Sequence, residues 1–247
     1  MNNSKKIGVY GLGRFGRYWA GLLGRDFSVI GYNRTSRPVE GVTLASQDEV
    51  LRCDALFFCV SISSFEQVLS SCADSIGEHT VVFDTCSVKS YPAEVMQRLL
   101  PSSTEIIATH PMFGPDSGRH GTAGLPLVFS PLRCSSATAS FWRDYFKQLD
   151  LQVLDMTPEE HDQEAAVTQG ITHVIGRVLG ELKLQPSDIG TLGYRKILEV
   201  VEQTCNDPFQ LFMDLQHYNP YTHSMRLRLK ESLDRVMKDL ERADTSI

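Results

Sequence analysis

The feature that most constrains the fold is a glycine-rich turn near the beginning of the chain, Gly11-Leu12-Gly13-Arg14-Phe15-Gly16. It follows a short apolar run at residues 7–10 and precedes an apolar stretch at 18–23 that can pack as a helix. A second strand-like run at 27–32 completes a β-α-β unit. G-x-G-x-x-G alone is a weak pattern, but between a strand and a helix it predicts a dinucleotide site.

Each glycine of the turn has a separate predicted role. Gly11 permits the tight turn, Gly13 lets the backbone approach a pyrophosphate, and Gly16 lets helix and strand pack closely. The amides at the helix N-terminus are then available to the anion. The alternative interpretation is a glycine-rich turn without a ligand.

The segment after the second strand favours NADP over NAD. Proteins that prefer NAD usually carry Asp or Glu here, because a carboxylate accepts a hydrogen bond from the ribose 2′-hydroxyl. This chain has instead Asn33, Arg34, Thr35, Ser36 and Arg37. A cation and hydroxyl groups suit a 2′-phosphate, which a carboxylate would repel. A polar loop in contact with solvent is the alternative.

The order of the remaining patterns predicts the fold class. Strand-like runs alternate with helical runs as far as residue 155, which indicates a doubly wound, mostly parallel Rossmann-type sheet. From residue 158 the apolar residues recur at helical spacing only, with one helix predicted through Ala165 and Val178. We therefore predict a dinucleotide-binding domain at 1–157 and an all-helical domain at 158–247. The second is small and apolar, so we expect it to form a homodimer.

Composition excludes several classes of partner. The 247-residue chain has a net charge of −6 with its Lys and Arg scattered, which argues against nucleic acid as a partner and against a basic membrane-binding patch. No apolar run approaches the roughly 20 residues that span a bilayer. The six cysteines include no C-x-x-C pair and predict reduced thiols in a cytoplasmic protein, and no His and Cys spacing suggests a metal site.

Residues that follow strands of such a sheet face the ligand crevice, and three segments are candidates. Val60 and Ser61 follow the third main strand and are predicted to contact the cofactor. Ser87 follows the fourth, and His110 ends the fifth. A His there is well placed as a general base near neutral pH, with Ser87 able to share its proton network. Packing or capping is the alternative for a lone His.

The helical part carries a second cluster. Gln169, His173 and Arg177 are spaced by four and are predicted to lie on one helix face, with Thr172 beside them. Such a face could bind a carboxylated substrate over the cofactor, or it could be a solvated polar face. His161 is expected near a helix start, where capping the helix and any other role are left as equal alternatives.

Three long motifs resemble those of prephenate and arogenate dehydrogenases. They are Asp84-Thr85-Cys86-Ser87-Val88-Lys89, the run from Thr109-His110-Pro111 to Asp116-Ser117-Gly118, and the run from His161-Asp162 through Gln169-Gly170-Ile171-Thr172-His173 to Arg177. Gly193-Tyr194 and the run from Glu202 to Asp207 are similar to the plant arogenate dehydrogenase branch in particular.

The resemblance implies oxidative decarboxylation of a cyclohexadienol, with tyrosine or 4-hydroxyphenylpyruvate as the product. It implies that His110 takes the hydroxyl proton as hydride leaves, and that Ser87 hydrogen-bonds the same hydroxyl. It further implies substrate-pocket roles for Ser117, Gln169, Thr172 and His173.

The sequence departs from the family pattern at one position. Many bacterial members carry an Arg for the ring carboxylate shortly before an Asp-Pro pair, where this chain has Glu202. Arg177 and Arg119 are both candidates for that role. Asp207 matches a plant-branch position that goes with arogenate preference, because a carboxylate favours the ammonium group of arogenate. Asp207-Pro208 also has the pattern of a helix N-cap and first-turn proline.

Two rival functions differ in what they require of His110. β-Hydroxyacid dehydrogenases and imine reductases share the architecture but usually place a catalytic Lys on the helical domain. A non-catalytic NADP sensor would bind cofactor without turnover and would tolerate His110→Ala. We expect the dehydrogenase, with an arogenate or prephenate substrate and NADP as cofactor.

Overall fold

Eight strands form one sheet in the computed structural model, which describes residues 5–35 and 38–244. The strands are β1 Lys6–Tyr10, β2 Ser28–Tyr32, β3 Thr43–Leu44, β4 Ala55–Phe58, β5 Val81–Asp84, β6 Ile106–Pro111, β7 Pro126–Arg133 and β8 Gln152–Asp155. Their order across the sheet is β3-β2-β1-β4-β5-β6-β7-β8. All neighbours pair in parallel except β6 and β7, so the predicted Rossmann-type, mostly parallel sheet is confirmed.

The strand order reverses at β1, which pairs with β2 on one side and with β4 on the other. Sheets of this kind bind their ligands beyond the carboxyl ends of the strands at such a switch point. The glycine-rich turn begins at the carboxyl end of β1. Its position in the sheet is therefore the one that a dinucleotide site requires.

Helices cover the sheet and supply an aromatic core. They are α1 Arg14–Leu23, α2 Gln47–Leu51, α3 Ile62–Cys72, α4 Ser90–Leu99 and α5 Ser136–Gln148. Trp19 of α1 and Trp142 of α5 are almost fully buried, and both contact Phe57 of β4 edge to face. These large side chains hold α1, and with it the glycine-rich turn, against the sheet.

Two short elements between β2 and β4 were missed by the sequence analysis. Strand β3 has only two residues, and its side chains are exposed, so it lacks an apolar pattern. Helix α2 begins at a capping box in which Ser46 and Glu49 exchange hydrogen bonds. The Ser-x-x-Glu spacing is the sequence signal that would have located this helix.

The chain after β8 is helical. It contains α6 Pro158–Ala165, a π-helical turn at Ala166–Gly170, α7 Ile171–Glu181, α8 Leu192–Asn206, α9 Phe209–Tyr218 and α10 Thr222–Asp244. The single helix predicted through Ala165 and Val178 is wrong in this respect, because the π turn interrupts its hydrogen-bond register.

The chain divides into two compact units, residues 1–161 and 162–247, called here the sheet unit and the helical unit. The division falls inside α6, slightly beyond the predicted boundary at residue 157. His161 is the last residue of the sheet unit, and its imidazole bonds to His110 of β6 in the same unit.

Candidate active site

The glycine-rich turn has the geometry that its sequence predicts. Gly11 has φ +101°, and a Cβ there would lie 2.6 Å from the carbonyl oxygen of Cys59. A Cβ on Gly16 would lie 1.9 Å from the carbonyl oxygen of Gly11, so α1 can approach the turn only with glycine there. A Cβ on Gly13 would meet nothing within 4 Å. The space beside Gly13 is thus not needed for protein packing, which fits a ligand-binding position.

Gly13 is the N-cap residue of α1 and has no side chain that could accept a hydrogen bond from the amides of the first helical turn. The first turn of a helix carries amide donors that need an external acceptor, and an anion such as a pyrophosphate supplies one. Leu12 and Phe15 were predicted to contact the cofactor. The Leu12 side chain is buried against Gly31, and the half-buried Phe15 ring stacks on Trp19. Leu12 therefore offers a ligand its backbone only.

The segment predicted to select the cofactor is described only in part. The Asn33 side chain donates to the backbone oxygen of Thr35 at 3.1 Å, and Arg34 and Thr35 are exposed. Ser36 and Arg37 lie outside the described residues. Val60 and Ser61 follow β4, and Ser61 is the N-cap residue of α3. Its hydroxyl does not accept from the helix amides and lies 2.6 Å from Ser64 Oγ.

Ser87 follows β5 on a loop built around a buried ion pair. Lys89 donates to the Asp84 carboxylate and, at 2.6 Å, to the backbone oxygen of Thr109. Both charged side chains are fully buried. Burial raises the pKa of the Asp84 carboxyl, against the opposing effects of Lys89 and of the amides of Cys86 and Thr109. The pair ties the ends of β5 and β6 together.

The Ser87 hydroxyl is buried and has no hydrogen-bond partner among the described residues. A buried hydroxyl without a partner is destabilising, and such groups occur where a ligand completes the bond. The network that we predicted between Ser87 and His110 is therefore not formed in the ligand-free chain.

His110 lies near the end of β6, almost completely buried. Its Nδ1 is 2.8 Å from Nε2 of His161, which is also buried. His161 was expected near a helix start, where capping is one of several possible roles, and its pairing with His110 was not predicted. Their separation of 51 residues leaves no local pattern by which the pair could be found.

The loop after β6 carries Ser117, which was predicted to contact substrate. Its exposed hydroxyl accepts from the amide of Gly114 at 3.0 Å, so it shapes the loop. The neighbouring Asp116 forms an ion pair with Arg14 of the glycine-rich turn. Arg119 is exposed and donates to His120 at 2.9 Å. The loop is thus linked to the predicted cofactor turn within the sheet unit.

In the helical unit, Gln169, His173 and Arg177 share an unusual property. Each has a buried polar atom with no hydrogen-bond partner among the described residues: Gln169 Oε1, His173 Nδ1 and Arg177 Nε. Thr172 differs, because its hydroxyl donates to the backbone oxygen of Thr168 at 2.8 Å. These three unsatisfied buried atoms lie about one turn apart, on the π turn and on α7, and indicate a site that binds a polar ligand.

His173 is neutral on this face, because burial and the nearby Arg177 lower its pKa to about 4. Its Nε2 lies 3.9 Å from the Asp207 carboxylate. Arg177 donates to the backbone oxygen of Asp207 at 2.6 Å and lies over the rings of Phe209 and Phe212. The guanidinium is therefore held in place while its Nε keeps its donor available.

Other chemistries have little support in the described part of the chain. It contains no group of three or more His, Cys, Asp or Glu side chains that could hold a metal ion. All six cysteines are free thiols, and burial raises the pKa of Cys59, next to the glycine-rich turn, to about 12. Its helices include none with both the length and the apolar character to cross a membrane.

A doubly wound sheet, an uncapped glycine-rich turn and a strand-end His define the class as dinucleotide-dependent oxidoreductases. Comparison with known proteins narrows the class. A family model described as prephenate dehydrogenase, nucleotide-binding domain, matches residues 24–125, and one described as TYRAAT1-like, C-terminal domain, matches residues 178–246.

Two relatives from Arabidopsis thaliana are each 33% identical to this chain. Arogenate dehydrogenase 2, chloroplastic, aligns with 97% of this chain and 71% of its own length. Arogenate dehydrogenase 1, chloroplastic, aligns with 87% of this chain and 36% of its own length. The chain belongs to the prephenate and arogenate dehydrogenase family and is a dehydrogenase of that family, which confirms the resemblance.

The fold agrees with that assignment. The crystal structure of prephenate dehydrogenase from A. aeolicus, in complex with hydroxyphenyl propionate and NAD+, matches with a TM-score of 0.74 over 96% of this chain and 91% of that one. The sequences are 14% identical in this comparison, so it supports the architecture alone.

Proposed function

We propose that this protein catalyses the NADP-dependent oxidative decarboxylation of arogenate, with prephenate as the less favoured substrate. The observation that carries the proposal is the buried Ser87 hydroxyl without a partner, on the strand end next to that of His110. A substrate hydroxyl between the two would complete the hydrogen bonding of Ser87 and deliver its proton to a His.

The chemistry follows from these two side chains. His110 Nε2 takes the proton of the ring hydroxyl, while Ser87 hydrogen-bonds the same oxygen and aligns it. A nicotinamide cofactor, when bound at the glycine-rich turn, would supply the acceptor for the hydride that leaves the carbon bearing this oxygen. Loss of carbon dioxide then returns an electron pair to the ring, and the oxygen recovers its proton from His110 as the ring becomes aromatic. Aromatisation makes the decarboxylation favourable.

The direct test is an absorbance assay of NADP reduction with arogenate and prephenate side by side. We expect turnover with both and a higher kcat/KM for arogenate. His110→Ala should lower kcat at least 10²-fold, because it removes the base. His79→Ala, on an exposed loop of the same unit, is the control and should leave the rate unchanged. Cofactor binding without turnover in the wild-type protein would instead support a sensor.

The preference for NADP rests on Asn33, Arg34 and Thr35, which include no carboxylate to repel a 2′-phosphate. We expect a KM for NADP well below that for NAD. Arg34→Ala should raise the KM for NADP and leave that for NAD nearly unchanged. Equal KM values for the two cofactors in the wild-type protein would contradict this preference.

We assign the carboxylates of the substrate to the helical unit. Arg177 is favoured over Arg119, because its Nε is buried and without a partner whereas Arg119 is exposed and bonded to His120. Gln169 and His173 supply further polar atoms on the same face, with Thr172 beside them. Ser117 of the sheet unit is kept as a further proposed substrate contact.

Asp207 is proposed to select arogenate through a charge-assisted hydrogen bond to its ammonium group. Asp207→Asn keeps the side-chain size but removes the charge. The ratio of kcat/KM for arogenate to that for prephenate should then fall about tenfold or more, as expected for a loss of about 1.4 kcal/mol or more. An unchanged ratio would assign Asp207 a structural role only.

We further propose that the protein is a homodimer and acts in the cytoplasm. The exposed apolar side chains of the helical unit support the dimer. The six free cysteines are compatible with a reducing compartment.

A further inference from the structure

His161 contacts His110 on the side away from the nitrogen that the proposed function uses. His110 Nδ1 and His161 Nε2 are 2.8 Å apart, and both imidazoles are almost completely excluded from solvent. The ring centroids are 5.0 Å apart and the ring planes stand at 72° to each other, so the rings meet through these two nitrogens and are not stacked. This is a hydrogen bond, and its single proton belongs to one ring or to the other.

The local structure fixes His161 firmly. Helix α6 begins at a capping box, in which Thr157 donates to Glu160 at 2.8 Å and receives the Glu160 amide at 3.2 Å. Met156, the residue before Thr157, is bonded to β7, because the Ser130 hydroxyl donates to its backbone oxygen. His161 is therefore placed by the sheet as well as by its own helix.

The position of the shared proton decides whether His110 can act as a base. A neutral imidazole carries one N–H and one lone pair. If the proton lies on His110 Nδ1, then His110 Nε2 has the lone pair and can accept a proton. If it lies on His161 Nε2, then His110 Nε2 carries the hydrogen and can only donate.

We propose that His161 is a positioning residue that accepts a hydrogen bond from His110 Nδ1 and so holds His110 in the tautomer with a basic Nε2. The inference rests on the proposed function for the role of His110 as base. In this arrangement His161 carries its own hydrogen on Nδ1. The proton removed from substrate resides on His110 Nε2, and the shared proton stays on Nδ1.

The same bond stabilises His110 once it is charged. An imidazolium Nδ1–H donates more strongly than a neutral one, so the hydrogen bond to His161 strengthens as the proton arrives. A carboxylate plays this part in the Ser-His-Asp triad, where it orients the imidazole and stabilises its cation. The neutral His161 provides the orientation without placing a negative charge in a buried site.

The tautomer can be tested without substrate by ¹⁵N NMR of the histidine rings in the ligand-free protein. We expect His110 to show a protonated Nδ1 and an unprotonated Nε2. In His161→Leu the acceptor is lost, and His110 should shift towards the Nε2–H form that isolated imidazoles prefer. Nε2–H as the main form of His110 in the wild-type protein would overturn the inference.

Kinetics of two variants separate positioning from packing. His161→Gln keeps an acceptor oxygen near the position of Nε2 and should retain kcat to within about fivefold, whereas His161→Leu should lose roughly 10–100-fold. The KM values for substrate and cofactor should change little in either, because His161 bonds to Nδ1 of His110 and not to the Nε2 that the proposed function assigns to substrate. Equal losses in both variants, or a loss confined to KM, would contradict a positioning role.

Two controls keep the outcomes distinct. His79→Leu removes an exposed imidazole from the same unit and should match the wild-type protein in rate. Thermal unfolding of each variant shows whether a lost rate reflects lost folding. If the wild-type protein turns over neither arogenate nor prephenate, the proposed function fails, and the NMR result still decides which ring carries the shared proton.

Discussion

Lys89 and Asp84 form an ion pair that is fully excluded from solvent. Removing two charges from water is costly, and their attraction offsets this cost only while both partners remain. The Asp84 carboxylate also satisfies two buried backbone amides, because it accepts hydrogen bonds from the amides of Cys86 and Thr109. The loop that carries Ser87 therefore depends on the ion pair between Asp84 and Lys89. In the sequence these two residues are only the first and last of the motif D-T-C-S-V-K.

We predict that Lys89→Met lowers the free energy of unfolding by about 3–5 kcal/mol, because it leaves a buried carboxylate unpaired. The double variant Asp84→Asn/Lys89→Met should lose less than the single one, since no charge is then left unpaired. Urea unfolding followed by tryptophan fluorescence measures both. Lys147→Met, at an exposed lysine of the same unit, is the control. A double variant less stable than Lys89→Met would contradict the explanation.

Among the secondary-structure elements, the π-helical turn at Ala166–Gly170 interrupts the regular helix beneath Gln169, His173 and Arg177. It contains Gln169 and ends at Gly170, directly before α7. Gln216 of α9 donates to the backbone oxygen of Gly170 at 2.9 Å and receives a hydrogen bond from Arg226 at 2.8 Å. A buried side chain from another helix therefore helps to hold the irregular turn.

Gln216→Leu should lower the free energy of unfolding by about 1–3 kcal/mol, because it leaves buried polar groups without this partner. It should also raise the KM for substrate more than it lowers kcat. The π turn carries Gln169, which is proposed to bind substrate, but it does not carry His110, the proposed base. Gln203→Leu, at an exposed position of α8 in the same unit, is the matched control. A variant with wild-type stability and KM would show that the turn does not need Gln216.

At the scale of the whole molecule, the exposed apolar side chains are distributed unequally. Among the described residues, all the exposed large hydrophobic side chains except Leu44 lie in the helical unit. On α10 they include Leu233, Val236, Met237 and Leu240, which recur at the spacing of one helix face. A stripe of this kind on an outer helix is typical of an interface.

We predict that the purified protein has twice the chain mass of 27.7 kDa in light scattering at micromolar concentration. Val236→Glu/Leu240→Glu should give a monomer, because it places charges on the stripe. Lys238→Glu, elsewhere on α10, should leave the mass unchanged. A monomeric wild-type protein would rule out the dimer.

The Rossmann-type sheet was predictable because its strands are apolar runs of regular spacing, and because the glycine-rich turn depends on sterics within a few residues. Strand β3 was missed because it is short and exposed. The π turn was missed because a single inserted register change leaves the apolar spacing of the helix almost intact.

The class of fold, the glycine-rich turn, the family and the segments that bear Ser87 and His110 could all be predicted from the amino-acid sequence. These follow from local sterics, from the periodicity of apolar residues and from motifs contiguous in the chain. Only the tertiary structure decided that His110 pairs with His161, that Lys89 is buried on Asp84 and that the Ser87 hydroxyl is left without a partner. Such relations depend on which distant groups the packed core excludes from water together, and no pattern along the chain encodes that directly.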